Sequence, residues 1–178
     1  EGKSKPTLRQ LEEFARKVHV PLGYLFLEEP PKEEVPIPFF RTSSRQGDKV
    51  SLNVYDTILL LQRRQEWLSE YLKEKGYDRI PFVDKYNQNT GYKKIVGDIR
   101  DILQLPEEWA DAFQTWEEAL KHLTTQIEEA GIVVTFNSVV GNNNKRKIKV
   151  DECRGFVLVD EYAPFMFINN DDVKAAQM

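Results

Sequence analysis

Cysteine is nearly absent from this sequence: Cys153 is the single one in 178 residues. An internal disulfide is therefore excluded, and a reducing, cytoplasmic setting is the one this usage fits. Long apolar runs are missing too. Runs such as Ile58 to Leu61 fall far short of the ~18 residues a membrane span requires, so no membrane partner is expected. The first 20 residues are polar and periodic, without the apolar core of a signal peptide. Histidine is scarce: His19 and His122 stand far apart, each alone on its own helical stretch. Neither has a second His, Cys or carboxylate at a ligand spacing that singles it out, so each reads as a surface or core histidine. There is no glycine-rich phosphate loop and no Gly-x-Ser-x-Gly elbow.

What is present describes a globular chain of one ordinary domain or two small ones, 40% hydrophobic and 30% charged. The net charge of −4 argues against a nucleic-acid coat, but its distribution is uneven. Residues 1–20 carry Lys3, Lys5, Arg9, Arg16 and Lys17 against Glu1, Glu12 and Glu13. A second basic cluster, Lys145-Arg146-Lys147 with Lys149, follows Gly141-Asn142-Asn143-Asn144 and reads as a solvated hairpin tip or an auxiliary phosphate contact. Cys153, between Glu152 and Arg154, has no nearby histidine to activate it and reads as an inert thiol. The pairs Glu12-Glu13, Glu117-Glu118 and Glu128-Glu129 are adjacent in helical segments and read as solvated faces.

Periodicity organises the rest. Thr7 caps a helix over LRQLEEFARKV, with Leu8, Leu11, Phe14 and Ala15 at helical spacing. Pro21 opens a short second helix to Phe26. Glu28 to Pro38 has four prolines and four glutamates and no apolar period, which makes a stiff linker. A long helix is predicted from Leu52 to Lys75, capped by Ser51 and stopped by Gly76. Val54, Ile58, Leu61, Leu68 and Leu72 form its apolar face. Leu59, Leu60, Trp67 and Tyr71 widen that surface, predicting burial on more than one side. Gly91 to Leu103 reads as a helix with Ile95, Val96, Ile99, Ile102 and Leu103 inward. Pro106 opens a short one over EEWADAF, and Thr115 with Glu118 forms a capping box for a helix ending at Gly131. After that, IVVTFNS, KIKV, GFVLVD and PFMFIN read as short antiparallel strands. Asn169-Asn170-Asp171-Asp172 lacks the alternating ligands of a calcium loop and reads as a helix N-cap.

Two resemblances rest on these segments. Gly2-Lys3-Ser4-Lys5-Pro6, the packing positions Leu8, Leu11 and Phe14, and Pro21 to Phe26 resemble the back half of a Cro/cI-type (XRE) helix-turn-helix. The capping-box helix leading into IVV, Arg154-Gly155-Phe156, Ala163-Pro164-Phe165 and Ile168-Asn169 resemble the ImmA/IrrE family of zinc metallopeptidases, as does IPFFR at 37–41. In that family a strand and an Asn/Asp-capped turn lead into a helix bearing His-Glu-x-x-His. The implied fold is α+β: a partial all-α helix-turn-helix, then a helical lobe and a small antiparallel sheet of a zincin-like domain. The implied boundaries are 1–27 for the DNA-binding part, 28–36 for the linker and 37–178 for the peptidase-like part.

By the same resemblance, the recognition helix would precede Glu1 and the His-Glu-x-x-His helix would follow Met178. The chain then reads as a fragment of a bacterial or phage regulator whose parent binds zinc, binds DNA through the complete helix-turn-helix and cleaves a repressor protein. This stretch carries no family catalytic residue or zinc ligand and is expected to be inactive without retaining zinc. Lys3, Ser4 and Lys5 remain as DNA-phosphate contacts. Phe165, Phe167 and Asn169 would lie on a substrate-edge strand beside the cleft, although Phe165 to Ile168 would serve a plain core strand equally well. Two other readings stay open: a non-catalytic XRE-family regulator, and an antitoxin-like or phage interaction protein.

Overall fold

The computed structural model describes residues 5–30, 51–87 and 89–178. Lys3, Ser4, most of the linker and the 37–41 segment lie outside the described residues. The chain divides into two compact units, Glu1–Pro36 and Ile37–Met178, and the whole is a mixed α+β fold, several helices followed by a small sheet region.

The first unit holds helix α1 (Leu8–Val18) and a 3-10 helix at Leu22–Phe26. The Thr7 side chain accepts from Gln10 N, and the Gln10 side chain accepts from Thr7 N at 2.9 Å. This reciprocal cap satisfies two amides that a helix start leaves open. His19 ends α1 in the left-handed region at φ 59°, where an imidazole is better tolerated than a branched side chain. Leu8, Phe14 and Phe26 are exposed; Ala15 is buried.

In the second unit, α2 (Leu52–Glu74) begins at Ser51, whose hydroxyl accepts from Val54 N. The helix stops before Gly76, at φ +74°, a conformation glycine adopts without steric cost. Helix α3 spans Tyr92–Ile102, a 3-10 turn Trp109–Ala112, and α4 Trp116–Glu129. The Thr115 hydroxyl caps α4 as expected, accepting from Glu118 N, but Glu118 reaches back to Gln114 N rather than Thr115 N.

Five strands follow: β1 (Val133–Asn137), β2 (Val139–Val140), β3 (Asn143–Lys147), β4 (Gly155–Leu158) and β5 (Phe165–Asn169). The sheet of three has the order β1-β5-β4; β2 and β3 form a separate antiparallel ribbon. The expectation of an antiparallel sheet is corrected here. Strand β1 runs parallel to β5, with Val133 opposite Phe165, and only β4 is antiparallel to it. The chain makes this pairing by leaving β1 through the β2–β3 ribbon and returning on the far side of β5. KIKV is also corrected, since the strand ends at Lys147 and the buried Ile148 lies beyond it. Lys145 to Lys147 stand in β3, not on a hairpin tip. Arg146 turns inward, donating to Asn53 at 3.0 Å and pairing with Asp56, while Asn53 donates to the Lys147 carbonyl at 2.8 Å. The ribbon is thereby tied to the first turns of α2.

The core lies between one face of α2 and one face of the sheet. Val54, Ile58 and Leu61 are buried on the helix, and Leu158, Phe165 and Phe167 on the sheet. Each such side chain contributes about 2 kcal/mol when removed from water. Gln65 crosses the interface, its amide donating to the carbonyls of Leu158 and Ala163 at 2.8 and 2.9 Å. Ser69 reaches Asp160, whose other oxygen accepts from Tyr162 N and Ala163 N. Burial alone would raise this carboxyl, but the two backbone amides and Ser69 hold it below its usual range. Two burial expectations fail. Trp67 and Tyr71 are exposed on the outer side of α2, so that helix is not enclosed at its C-terminal half. Val96 and Ile99 are exposed on α3, and only Leu103 at its end is buried.

Candidate functional site

Strand β5 delivers the chain into a polar turn whose ends, Asn169 and Asp172, are buried while Asn170 and Asp171 are exposed. Asn169 is fully buried, its amide donating to the carbonyls of Ile148 and Cys153 at 3.0 and 2.9 Å. Its carbonyl oxygen accepts from Asp171 N, and its own N–H donates to the Arg154 carbonyl. A short side chain with two donors and an acceptor is what such a junction of three strand ends requires. Beside it, Arg154 pairs with Asp172 at 3.3 Å, the carboxylate buried and the guanidinium half exposed. The same carboxylate accepts from Val173 N. The short helix α5 (Lys174–Gln177) follows, and the buried Gln177 amide turns back to the carbonyls of Asn170 and Asp172.

The sheet has two edge strands, β1 and β4, and the backbone alternation of β4 follows from one bond. The bond from Asn169 N to the Arg154 carbonyl fixes the antiparallel alternation. Phe156 and Leu158 thus turn their backbone groups toward β5, and Val157 turns its own outward. At the start of β4 a Cβ on Gly155 would meet the Phe167 carbonyl oxygen at 2.7 Å, so only glycine allows this approach of the strands. An apolar groove of about 310 Å³ runs beside the edge, lined by Val157, Val159, Pro164, Met166 and the segment Phe82–Tyr86. Lys85 and Asp98 brace that wall with an ion pair of 3.0 Å, and the Tyr86 hydroxyl donates to Asp98 at 2.9 Å. Lys85 first, then Tyr86, holds the Asp98 carboxyl below its usual range. A second groove of about 460 Å³ opens between α4 and α5, with Trp116, Leu120, Phe136 and Gln177 among its walls.

The residues expected at a substrate edge are correctly grouped but wrongly positioned. Phe165, Phe167 and Asn169 do share a strand, but β5 is the middle strand, paired on both sides. All three side chains are buried. An extended peptide has no free backbone to join there; the outer strands β1 and β4 have one. The physical reason is the parallel return of β1, which occupies the side of β5 that a run of hairpins would leave open. Lys5 is exposed in the first unit. His122 stacks against Phe113 at 4.9 Å and Trp109 at 6.1 Å, and His19 ends α1. Sequence reasoning passed over Val157, the Phe82–Tyr86 wall and Gln177. The Phe82–Tyr86 stretch carries no period, and Val157 looks like any strand valine until its neighbours are known.

Among the described residues no group of three His, Cys, Asp or Glu side chains is placed to hold a metal ion. These residues do not fit a zinc centre. No helix among them is long and apolar enough to cross a membrane. Cys153 is buried completely, and burial pushes its thiol up to about 12 against the opposing backbone N–H of Gly155. The native protein is expected to show no thiol reaction with Ellman's reagent at pH 8, and one thiol after denaturation. Full reaction of the native protein within minutes would contradict this placement.

No family model matches the chain, and neither a curated protein nor a solved structure matches it.

Proposed function

We propose that this chain belongs to a cytoplasmic DNA-binding regulator whose larger unit is built like an ImmA/IrrE-type zinc metallo-endopeptidase and acts on a repressor protein. The observation that carries this reading is the passage from β5 through the Asn169–Asp172 turn into α5, a strand–turn–helix order like the one the resemblance implies, here without a side-chain cap. Helix α4 leading directly into β1 agrees with it. The capped α1 and following 3-10 helix, with Leu8 and Phe14 open to further packing, support the XRE-type half.

In this reading the described residues supply the frame and the substrate edge, and none supplies a zinc ligand. An extended segment of the repressor pairs with the outward backbone of Val157 and lays apolar side chains into the groove beside Met166 and Val159. Lys3, Ser4 and Lys5 hold phosphates without reading bases.

The test is co-expression of the natural gene product with the repressors encoded beside its gene, followed by immunoblotting with and without 1,10-phenanthroline. The expected result is a shortened repressor that disappears with the chelator. Val157→Pro, which removes an outward N–H from an edge strand, should slow cleavage about tenfold, the loss of about one backbone hydrogen bond. A repressor that co-purifies intact would overturn the peptidase reading in favour of a non-catalytic regulator. One that is neither bound nor cut would overturn both.

A further inference from the structure

The outer side of α2 changes character halfway along. Its first turns are covered by the β2–β3 ribbon through Asn53 and Asp56. Beyond Leu60 nothing comparable among the described residues covers it: Arg63, Arg64, Trp67, Glu70, Tyr71 and Glu74 are all exposed. Trp67 is 66% exposed, and its ring stacks on Tyr71 at 5.7 Å with an interplanar angle of 14°. These residues recur at three- and four-residue intervals, so they form one stripe along the helix. Two large rings held in water on a well-formed helix are unusual for a surface that meets nothing.

The charges along this stripe say what it meets. Arg63 and Arg64 lie at its N-terminal end and Glu70 and Glu74 at its C-terminal end. Among the described residues none of these four has an ion-pair partner. Glu66, Glu70 and Glu74 follow one another at four-residue spacing, which is repulsive within a single helix. Lys75 flanks this end, its ammonium 5.6 Å from the Tyr71 ring, so it is the side carrying Arg63, Glu70 and Glu74 that complements itself when reversed. We propose that α2 pairs with α2 of a second copy of this chain, antiparallel, about a two-fold axis at Trp67. Trp67 then meets its counterpart, Arg63 faces Glu70 and Arg64 approaches the Tyr71 ring. The symmetry makes each of the last two contacts twice. A nucleic acid is a poor occupant, because the acidic groups stand on the same stripe as the arginines. Four helical turns form a small interface, so the dimer is reversible and its dissociation constant lies in the micromolar range. This inference does not depend on the function proposed above.

Sedimentation equilibrium of the 178-residue chain up to about 200 µM reads the association directly. The wild type is expected to dimerise, and Trp67→Ala to weaken dimerisation at least about tenfold. Because Trp67 is exposed, its urea midpoint should be unchanged. Arg63→Glu and Glu70→Arg should each weaken self-association at least about tenfold, because each places like charges opposite one another twice. An equimolar mixture of these two variants, and the double variant, should regain it. A wild type that stays monomeric throughout the range overturns the proposal. So does a dimer indifferent to both charge reversals, or one that the mixture fails to restore.

Discussion

Replacing Asn169 by alanine is expected to lower the unfolding free energy by about 3–4 kcal/mol, with urea denaturation as the measurement. The side chain is fully buried and holds the carbonyls of Ile148 and Cys153 and the N–H of Asp171. Alanine removes all three partners at once and leaves polar groups inside the protein without water to replace them. Asn169→Asp should fare no better. It keeps the acceptor, loses both donors and sets a carboxylate against two carbonyl oxygens. A loss below about 1 kcal/mol would mean that the turn opens to water instead of enclosing the amide.

Phe167→Ala is expected to cost about 3–5 kcal/mol, the range for emptying an aromatic site in a packed core. Phe167 is 1% exposed on the central strand, and its ring stacks on Phe156 at 4.9 Å. The substitution leaves a cavity between the sheet and the helix above it, and it removes the cross-strand ring pair, worth about 1 kcal/mol by itself. Phe167→Leu keeps most of the volume and should lose much less. The diagnostic is a lower urea midpoint at an unchanged denaturant slope, which reports lost stability without a change in the surface exposed on unfolding. Equal stability of the alanine variant and the wild type would contradict the placement of Phe167 in the core.

These two residues also show how far the sequence could be followed. Thr7 and Ser51 were legible as the caps of α1 and α2. The reading of Asn169–Asp172 as a helix N-cap is corrected, because α5 begins after Val173 with no side-chain cap and the Asx side chains bond within the turn. The buried alternation of Phe165, Phe167 and Asn169 was legible from the strand period. What surrounds β5 was not, because a strand's pattern records which faces are apolar and says nothing about which strands lie on either side. The parallel partner arrives from far earlier in the chain, with Val133 opposite Phe165 and Asn137 opposite Asn169. Val96, Ile99, Trp67 and Tyr71 failed for a related reason. Helical spacing identifies a shared face, and whether another element covers that face is decided by contacts distant in sequence. Arg146 was misplaced because a run of three basic residues looks uniformly solvated, yet strand alternation turns the middle one toward Asp56.

The parallel return of β1 to β5 also sets an order of events during folding. Strands β4 and β5 are joined by a short turn that Asp160 fastens from within, so their pairing closes a small loop at little entropic cost. Strand β1 reaches the same partner only after the whole intervening excursion has been gathered in, and such long closures form late and slowly. Yet the penalty for lengthening that excursion is slight, about 0.6 kcal/mol for each doubling. The tip of the ribbon at Gly141 and Asn142 is therefore a position where inserted residues would retard folding more than they would loosen the folded protein.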